Sequence, residues 1–315
     1  MPYFVLADEP LPDELAAMLA ADCDVHVWPD DESALAPLLE RADGLFTYGH
    51  MPTDGALMDR MPRLKIISNF GVGVDHINLE AARQRGIPVG NTPGVLDGAT
   101  ADLTFALLLA AARNIVVGDR YAHSDAFTHY DPRILMGREV HGATLGIVGM
   151  GKIGRQVARR ARGFDMTVLY HNRRRDPQAE AELGVTYATL PELLGRADFV
   201  TLNVPLTRET RGLIGRDELL KMKPTAILVN AARGAVVDHA ALQAALEQGQ
   251  LAGAALDVTE PEPLPRDHPL LRMDNVIISP HLGSATVETR LRMAELSVAN
   301  LLAGLRGEAL LHRVA

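Results

Sequence analysis

Four residues whose side chains carry acid–base and anion-binding chemistry follow predicted strands in the second half of the chain. They are Arg233, Asp257, Glu262 and His281. A guanidinium pairs with an anionic carboxylate, and an imidazole beside a carboxylate exchanges protons near neutral pH. The carboxyl ends of parallel strands share one edge of a sheet, so we expect these side chains to converge. Taken singly, Arg233 as a surface cation, Glu262 as a solvated acid in a Pro-rich turn and His281 as a capping or packing histidine are ordinary alternatives.

A glycine-rich turn, Gly149-Met150-Gly151-Lys152-Ile153-Gly154, separates a predicted strand at 144–148 from a predicted helix at 152–162. This pattern alone also fits a tight connection. The strand before it, the helix after it and the 22 residues from Gly149 to the next strand end at His171 favour a dinucleotide site. Gly149 allows the sharp turn, Gly151 lets a pyrophosphate approach the backbone, and Gly154 lets the helix pack on the strand. The first helical N–H groups would bind the anion.

The end of that next strand lacks the acidic residue that accepts hydrogen bonds from the ribose of NAD. It carries His171 and Asn172, followed by Arg173, Arg174 and Arg175. Guanidinium groups there suit the 2′-phosphate of NADP, because arginine binds phosphate through planar, bidentate hydrogen bonds. We therefore predict NADP with NADPH preferred and NAD possible; a solvated basic turn is the alternative.

Strands and helices must alternate along the chain to position these residues. Short Val- and Ile-rich segments alternate with amphipathic stretches, which is typical of βαβ units and a mainly parallel sheet. We predict strands at 3–6, 25–28, 44–48, 65–69, 87–90, 144–148, 167–170, 199–203, 226–230, 252–257 and 276–279. We predict helices at 11–21, 99–117, 152–162, 240–248 and 287–305.

Length and composition limit the kind of protein this can be. The 315 residues predict two domains, and 47% apolar with 23% charged residues is typical of globular proteins. The net charge of −9 gives no general attraction for nucleic acid or an anionic membrane. A single cysteine, Cys23, and no signal-peptide pattern at the start predict a cytoplasmic protein. The apolar stretch 103–112 is too short to span a bilayer, and no histidine spacing predicts a metal site.

Beyond these patterns, nearly the whole chain resembles the D-isomer-specific 2-hydroxyacid dehydrogenase family. The most specific matches are residues 71–77, 91–94, the glycine turn, 229–234, 256–258, 260–263 and 280–286. Within that family the segments 262–271 and 300–308 are most similar to glyoxylate/hydroxypyruvate reductases. The resemblance implies two doubly wound parallel-sheet α/β domains: a Rossmann-type cofactor domain, 99–286, inserted into a flavodoxin-like substrate domain, 1–98 and 287–315.

The resemblance also implies reversible hydride transfer between nicotinamide C4 and a small 2-oxo acid, with Arg233, Glu262 and His281 as the catalytic set. His281 would give a proton to the carbonyl oxygen, Glu262 would orient its imidazole, and Arg233 would bind the substrate carboxylate. Further substrate contacts would come from Val72 and Gly73 through their N–H groups, and from Ser284. Because different domains hold substrate and cofactor, we expect closure on binding.

Cofactor contacts carried over by position fall into three groups. Met150, Gly151, Lys152 and Ile153 would lie at the pyrophosphate, and Asn172, Arg173 and Arg174 at the adenosine ribose or its phosphate. The nicotinamide half would contact Pro205, Ala231, Ala232, Asp257 and Gly283.

One departure concerns the substrate pocket. Some glyoxylate reductases place a Trp from the neighbouring subunit over the substrate, whereas the only Trp here is Trp28, and Tyr130 or Leu135 occupies the corresponding stretch. The preferred acid therefore stays open, with larger 2-oxo acids such as 2-ketogluconate as alternatives. The resemblance further implies a homodimer built on the cofactor domain, with the helix that begins near Ala99 and the following residues 121–138 at the interface.

Two other functions share the dinucleotide pattern. A nucleotide-sensing corepressor would keep these residues without turnover, but we find no peptide-docking extension. An S-adenosylhomocysteine-hydrolase-like enzyme would need a longer chain and a nucleoside pocket, for which the sequence has no signature.

Overall fold

The chain folds into two compact units, which a computed structural model describes for residues 1–48 and 50–315. The first unit comprises Met1–Leu96 and Ala285–Ala315, and the second comprises Asp97–Ser284. Their boundaries lie two residues from those expected. Each unit is built on one parallel sheet, which confirms the predicted α/β fold class.

The first unit has five parallel strands in the order β2-β1-β3-β4-β5, the flavodoxin-like order. The strands are β1 (Tyr3–Ala7), β2 (Cys23–Val27), β3 (Gly44–Thr47), β4 (Ile66–Asn69) and β5 (Val89–Gly90). Its helices are α1 (Asp13–Leu19), α2 (Glu32–Arg41), α3 (Gly55–Asp59), α4 (Leu79–Gln84) and the C-terminal α12 (Val287–Arg306).

The second unit has seven parallel strands in the order β12-β11-β10-β9-β6-β7-β8. These are β6 (Thr144–Val148), β7 (Thr167–His171), β8 (Thr186–Tyr187), β9 (Phe199–Leu202), β10 (Ile227–Asn230), β11 (Gly253–Leu256) and β12 (Val276–Ile278). The helices are α5 (Asp97–Ala112), α6 (Ile115–Ala122), α7 (Lys152–Ala161), α8 (Pro177–Leu183), α9 (Leu190–Arg196), α10 (Arg216–Leu219) and α11 (His239–Glu247). The strand order reverses between β6 and β9, and ligands of open α/β sheets bind at such a point, beyond the carboxyl ends of the strands.

The single helix predicted at 99–117 is wrong, because the structure divides this stretch into α5 and α6. Asn114 interrupts it with a left-handed backbone (φ 53°), and its side-chain Nδ2 lies 3.3 Å and 3.4 Å from the carbonyl oxygens of Leu135 and Met136. The two helices are bent by 60°. In the described part of the chain no single helix is long and apolar enough to cross a membrane; only this bent pair meets the criterion jointly, and α5 is largely buried.

Helix α12 belongs to the first unit, as expected from its position after the last strand. Its inner face packs on β4, where a Cβ added at Gly304 would lie 2.6 Å from Ile66 Cβ. The Ser68 hydroxyl of β4 donates to the Ser297 carbonyl of α12 (2.7 Å). The helix ends at Gly307, whose positive φ of 74° suits a glycine C-cap.

Candidate active site

The glycine turn connects β6 to α7, with close backbone approaches at two of its three glycines and open space at the third. Gly149 has φ 102°, and a Cβ there would lie 2.6 Å from the Asn203 carbonyl oxygen. A Cβ at Gly154 would lie 2.1 Å from the Gly149 carbonyl oxygen, whereas Gly151 faces open space. The first N–H groups of α7, which begins at Lys152, have no intrahelical acceptor. The turn therefore offers room and N–H donors for an anionic group.

The loop after β7 lies beside this turn. Asn172 Oδ1 accepts a hydrogen bond from the Met150 N–H (2.8 Å), so this side chain fixes the turn. Arg175 donates both of its bonds to Glu180 (2.7 Å each), and the Tyr170 hydroxyl donates to the same carboxylate (2.8 Å). Arg175 first and Tyr170 second lower the pKa of Glu180 to about 2. Of the three arginines predicted here, Arg175 thus supports the loop.

Arg173 and Arg174 are both exposed in this loop. Within residues 1–48 and 50–315 neither makes an ion pair. The hydrogen bond from Thr207 and the charge of Arg173 lower the pKa of Glu209, which places a carboxylate near Arg173 without a direct bridge. Two cations therefore remain at the end of β7 for an anionic ligand.

Arg233 lies in the turn after β10, which a buried asparagine shapes. Asn230 is fully buried; its Oδ1 accepts from the Ala232 N–H (3.0 Å) and its Nδ2 donates to the Arg233 carbonyl (2.9 Å). The turn also contains Ala231, another predicted cofactor contact. Asn230 holds both sides of the turn, a role that the sequence motif did not reveal.

His281 and Glu262 form the hydrogen-bonded pair that the sequence predicted. His281 Nδ1 lies 2.7 Å from Glu262 Oε1. A carboxylate only accepts hydrogen bonds, so Nδ1 carries the proton in this pair. The second carboxylate oxygen of Glu262 accepts from the Thr259 N–H (3.2 Å). The imidazole is thereby oriented by a carboxylate that is itself held.

Asp257 anchors the loop that presents His281. This carboxylate is 2% exposed and accepts from the Ser279 hydroxyl (2.6 Å) and from the N–H groups of Leu282 and Gly283 (2.7 and 2.8 Å). Its backbone carbonyl accepts from the His281 N–H (2.9 Å). The sequence predicted Asp257 as a member of the converging set and as a cofactor contact, but not as the anchor of this loop, because its partners on the β12 side are distant in sequence.

Gly234 joins the Arg233 turn to the segment that carries Glu262. A Cβ at Gly234 would lie 1.9 Å from the carbonyl oxygen of Thr259, so only glycine allows this approach. The positions of Arg233 and Glu262 are therefore coupled through backbone contact. Arg233, Glu262 and His281, each placed by a different strand end, all belong to the second unit.

In the first unit the predicted carboxylate-binding loop follows β4. The Asn69 Nδ2 donates to the carbonyls of Gly71 (2.7 Å) and Gly73 (2.9 Å), and the Asn91 Nδ2 donates to that of Val72 (2.8 Å). Among the residues that the structure describes, none accepts a hydrogen bond from the Val72 or Gly73 N–H. These two adjacent residues are half-buried, and successive backbone N–H groups of this kind can bind an anion.

The remaining predicted residues occupy loops of the second unit. Pro205 follows β9, and its carbonyl accepts from the Thr210 hydroxyl (2.6 Å). Ser284, the last residue of that unit, is half-buried next to Gly283. Among residues 1–48 and 50–315, no group of three or more His, Cys, Asp or Glu side chains is placed so that it could hold a metal ion.

The chain is similar to known proteins over nearly its whole length. Residues 105–283 match the family model described as D-isomer specific 2-hydroxyacid dehydrogenase, NAD binding domain. The chain is 48% identical over 306 residues to glyoxylate reductase of Pyrococcus furiosus, covering 95% of this chain and 91% of that protein. It is 45% identical over 309 residues to glyoxylate reductase of Korarchaeum cryptofilum, covering 96% and 93%. The solved NADPH-dependent glyoxylate/hydroxypyruvate reductase of Sinorhizobium meliloti, in complex with NADP and malonate, superposes with a TM-score of 0.89 at 33% identity, covering 100% of this chain and 97% of that one.

Proposed function

The chain belongs to the D-isomer specific 2-hydroxyacid dehydrogenase family, and on that premise we propose that it is an NADPH-preferring reductase of glyoxylate and hydroxypyruvate. The observation that carries the proposal is the 2.7 Å bond between His281 Nδ1 and Glu262 Oε1, beside the turn that bears Arg233. These three residues are its catalytic set. In this set, His281 is the proton donor, Glu262 is the carboxylate that orients it, and Arg233 is the cation that binds the substrate.

The glycine turn fits a nicotinamide dinucleotide, since Gly151 faces open space and the α7 N–H groups lack intrahelical partners. When bound, the cofactor supplies the hydride. Met150, Gly151, Lys152 and Ile153 hold its pyrophosphate in this proposal, and Gly149 and Gly154 keep the turn tight. Its nicotinamide half is assigned to Pro205, Ala231, Ala232, Asp257 and Gly283.

The proton comes from His281. Glu262 keeps Nδ1–H occupied, so the protonated Nε2 donates to the substrate carbonyl oxygen while the hydride reaches the adjacent carbon. In the reverse direction the neutral Nε2 accepts the hydroxyl proton. The carboxylate also fixes the orientation of the imidazole that delivers this proton.

The substrate carboxylate is assigned to cations and N–H donors. Arg233 pairs with it and polarises the carbonyl, because its guanidinium offers several donors in one plane. The N–H groups of Val72 and Gly73 and the Ser284 hydroxyl are its further donors in this proposal. Their availability in the loop after β4 supports the assignment of Val72 and Gly73.

Preference for NADPH is attributed to Arg173 and Arg174, with Asn172 beside them. Arg175 is paired with Glu180, whereas its two neighbours are exposed and lie at the strand end where the adenosine ribose is expected. The 2′-phosphate of NADP is an anion that two guanidinium groups bind well. NAD lacks that phosphate and gains nothing from them.

A kinetic panel tests the proposal directly. Initial rates are measured for glyoxylate, hydroxypyruvate and 2-ketogluconate, each with NADPH and with NADH. We expect the two smaller acids to have the highest kcat/KM, and NADPH to exceed NADH by about tenfold or more. Absence of turnover with every small 2-oxo acid would refute it, and NADPH binding without turnover would favour a sensing role instead.

A homodimer is also proposed, formed through the segment that includes α6 and the loop after it. This segment exposes Phe127 (51%), Tyr130 (81%) and Met136 (79%). Beside it lies a cavity of about 210 Å³ at the amino ends of β10, β11 and β12, lined in part by Val116 and Met136. Apolar groups concentrated in one segment, beside a cavity, suit a second copy of the chain.

A further inference from the structure

Three asparagines from distant parts of the first unit meet beneath the loop 71–73. Asn69 ends β4, Asn91 follows β5, and Asn300 lies in α12. Asn69 is 3% exposed and Asn300 is fully buried. We call these three residues the asparagine scaffold. Buried amides are costly unless their hydrogen bonds are satisfied, so their positions imply a defined task.

The scaffold binds every carbonyl of the loop. One Nδ2 group, that of Asn69, bridges the carbonyls of Gly71 and Gly73, at 2.7 and 2.9 Å. The Asn91 Nδ2 takes the carbonyl between them, that of Val72, at 2.8 Å. With three successive carbonyls bound by side chains, the loop keeps their oxygens away from an anion, and the N–H groups of residues 71–74 donate to no described acceptor.

Further hydrogen bonds hold the Asn69 side chain, the Asn91 backbone and the Asn300 side chain. The fully buried Thr47 hydroxyl donates to Asn69 Oδ1 (2.8 Å), which directs the Nδ2 side of this amide to the loop. The Asn300 Nδ2 donates to the Asn91 carbonyl (3.0 Å), and its Oδ1 accepts from the His312 N–H (3.1 Å). The scaffold thus links the loop to the C-terminal segment of the chain.

We propose that Asn69 and Asn91 are positioning residues for the substrate carboxylate, acting through the Val72 and Gly73 N–H groups. This inference rests on the proposed function, in which those two N–H groups bind the carboxylate. A carboxylate contact made equally in the bound substrate and in the transition state lowers KM without changing kcat. Loss of a scaffold amide should therefore raise KM and leave the chemical step nearly intact.

The test replaces single hydrogen-bond donors while preserving side-chain size. Asn69→Asp and Asn91→Asp each place an acceptor opposite a carbonyl, and Thr47→Val releases the orientation of Asn69. For glyoxylate with NADPH we expect KM to rise about tenfold in the two Asp variants, with kcat changed less than about threefold. Thr47→Val should raise KM by a smaller factor. If an Asp variant does not fold, Thr47→Val still tests the role of Asn69.

A binding measurement separates this role from general damage. Oxalate, a two-carbon dicarboxylate that resembles the substrate, is titrated against the enzyme–NADPH complex by nucleotide fluorescence. Its Kd should rise in parallel with KM, while the Kd of NADPH stays constant. Asn78→Asp serves as the matched control, because Asn78 caps α4 in the same unit and aspartate caps equally well.

The outcomes are distinguishable. If the wild-type enzyme neither reduces glyoxylate nor binds oxalate, the proposed function fails. If the wild type does both and the folded variants keep its KM and oxalate Kd, the scaffold has no positioning role. A fall in kcat with unchanged KM and oxalate Kd would also overturn the inference.

Discussion

His281 is held in a backbone conformation that few residues adopt. Its φ of 55° is left-handed, which costs about 1–2 kcal/mol for a residue other than glycine. Four hydrogen bonds to Asp257 offset this cost, one to its carbonyl and three to its carboxylate. The pairing of His281 with Glu262 was predicted from the sequence and its family resemblance, whereas the supports Asn230, Thr259 and Ser279 were not, because hydrogen bonds between loops leave no periodic signal.

The proton-donor role of His281 is tested by His281→Ala. We expect kcat for glyoxylate reduction to fall by about 10²- to 10⁴-fold, since no other side chain is assigned to deliver the proton. The Kd of NADPH, measured by fluorescence titration, should stay within about twofold. An alanine variant that retains wild-type kcat would remove His281 from the mechanism.

The division of labour among the three arginines gives a second prediction. Replacing Arg173 and Arg174 together by alanine should reduce kcat/KM for NADPH by about 10²-fold and leave that for NADH nearly unchanged. Arg175→Ala removes a neighbouring charge that pairs with Glu180 and serves as the control. An equal NADPH-to-NADH ratio in the double variant and the wild type would show that the two arginines do not select the cofactor.

Elements with local signals were predicted well, and those set by distant contacts were not. The predicted strand 144–148 coincides with β6, and the helix predicted at 152–162 ends one residue later than α7. Both have adjacent glycines and clear apolar patterns. The break at Asn114 depends on carbonyls more than twenty residues away, at Leu135 and Met136, so the local Ala-rich pattern predicted a continuous helix.

The close contact between the segments of Gly234 and Thr259 predicts that a methyl group added at position 234 lowers both stability and activity. Gly234→Ala would force the two segments apart, which should lower the free energy of unfolding by about 1–3 kcal/mol and kcat/KM by about 10²-fold. Gly195→Ala adds the same methyl group on exposed α9, where alanine is expected to stabilise by about 0.5–1 kcal/mol. Full activity in Gly234→Ala would show that the coupling is unimportant.

The network around Glu180 connects the end of β7 to α8 and gives a pH-dependent prediction. The pKa of Glu180 is lowered from its ordinary value of 4.5 to about 2. The ionised carboxylate therefore stabilises the folded protein at pH values above 4.5, and this contribution is lost as the pH falls toward 2. Glu180→Gln should unfold at lower urea concentration than the wild type at pH 7. This difference should narrow below about pH 4.5; a difference independent of pH would exclude ionisation of Glu180 as its source.

At the scale of the whole molecule, the chain length predicted two domains and the alternation of strands and helices predicted their α/β class; the polypeptide forms the two units in an interrupted order. The overall charge of −9 is opposite in sign to the residues assigned to anionic ligands, Arg173, Arg174 and Arg233. The net charge of the chain therefore does not predict the sign of the charge at its proposed anion-binding sites. The homodimer was predicted from the family resemblance alone and not from composition, since exposure of apolar residues is a property of the folded chain.

The proposed dimer gives the corresponding prediction. For the wild type, light scattering after size exclusion should give twice the mass of one chain. For Met136→Glu the measured mass should fall toward that of one chain, because a charge buried in the interface opposes association. Leu220→Glu makes the same change at a 52% exposed leucine outside the segment and should stay dimeric. A monomeric wild type, or a dimeric Met136→Glu variant, would refute this interface.

The return of α12 to the first unit has a consequence for protein synthesis. Leu301 and Leu305 pack over Gly44, and Asn300 holds the loop region after β5, yet all three leave the ribosome after the second unit is complete. The N-terminal sheet, although translated first, must wait for these side chains to cover it. Domains usually fold in the order of their synthesis; here the second unit has all its strands and helices once residue 284 is made, whereas the first unit receives its last helix only afterwards.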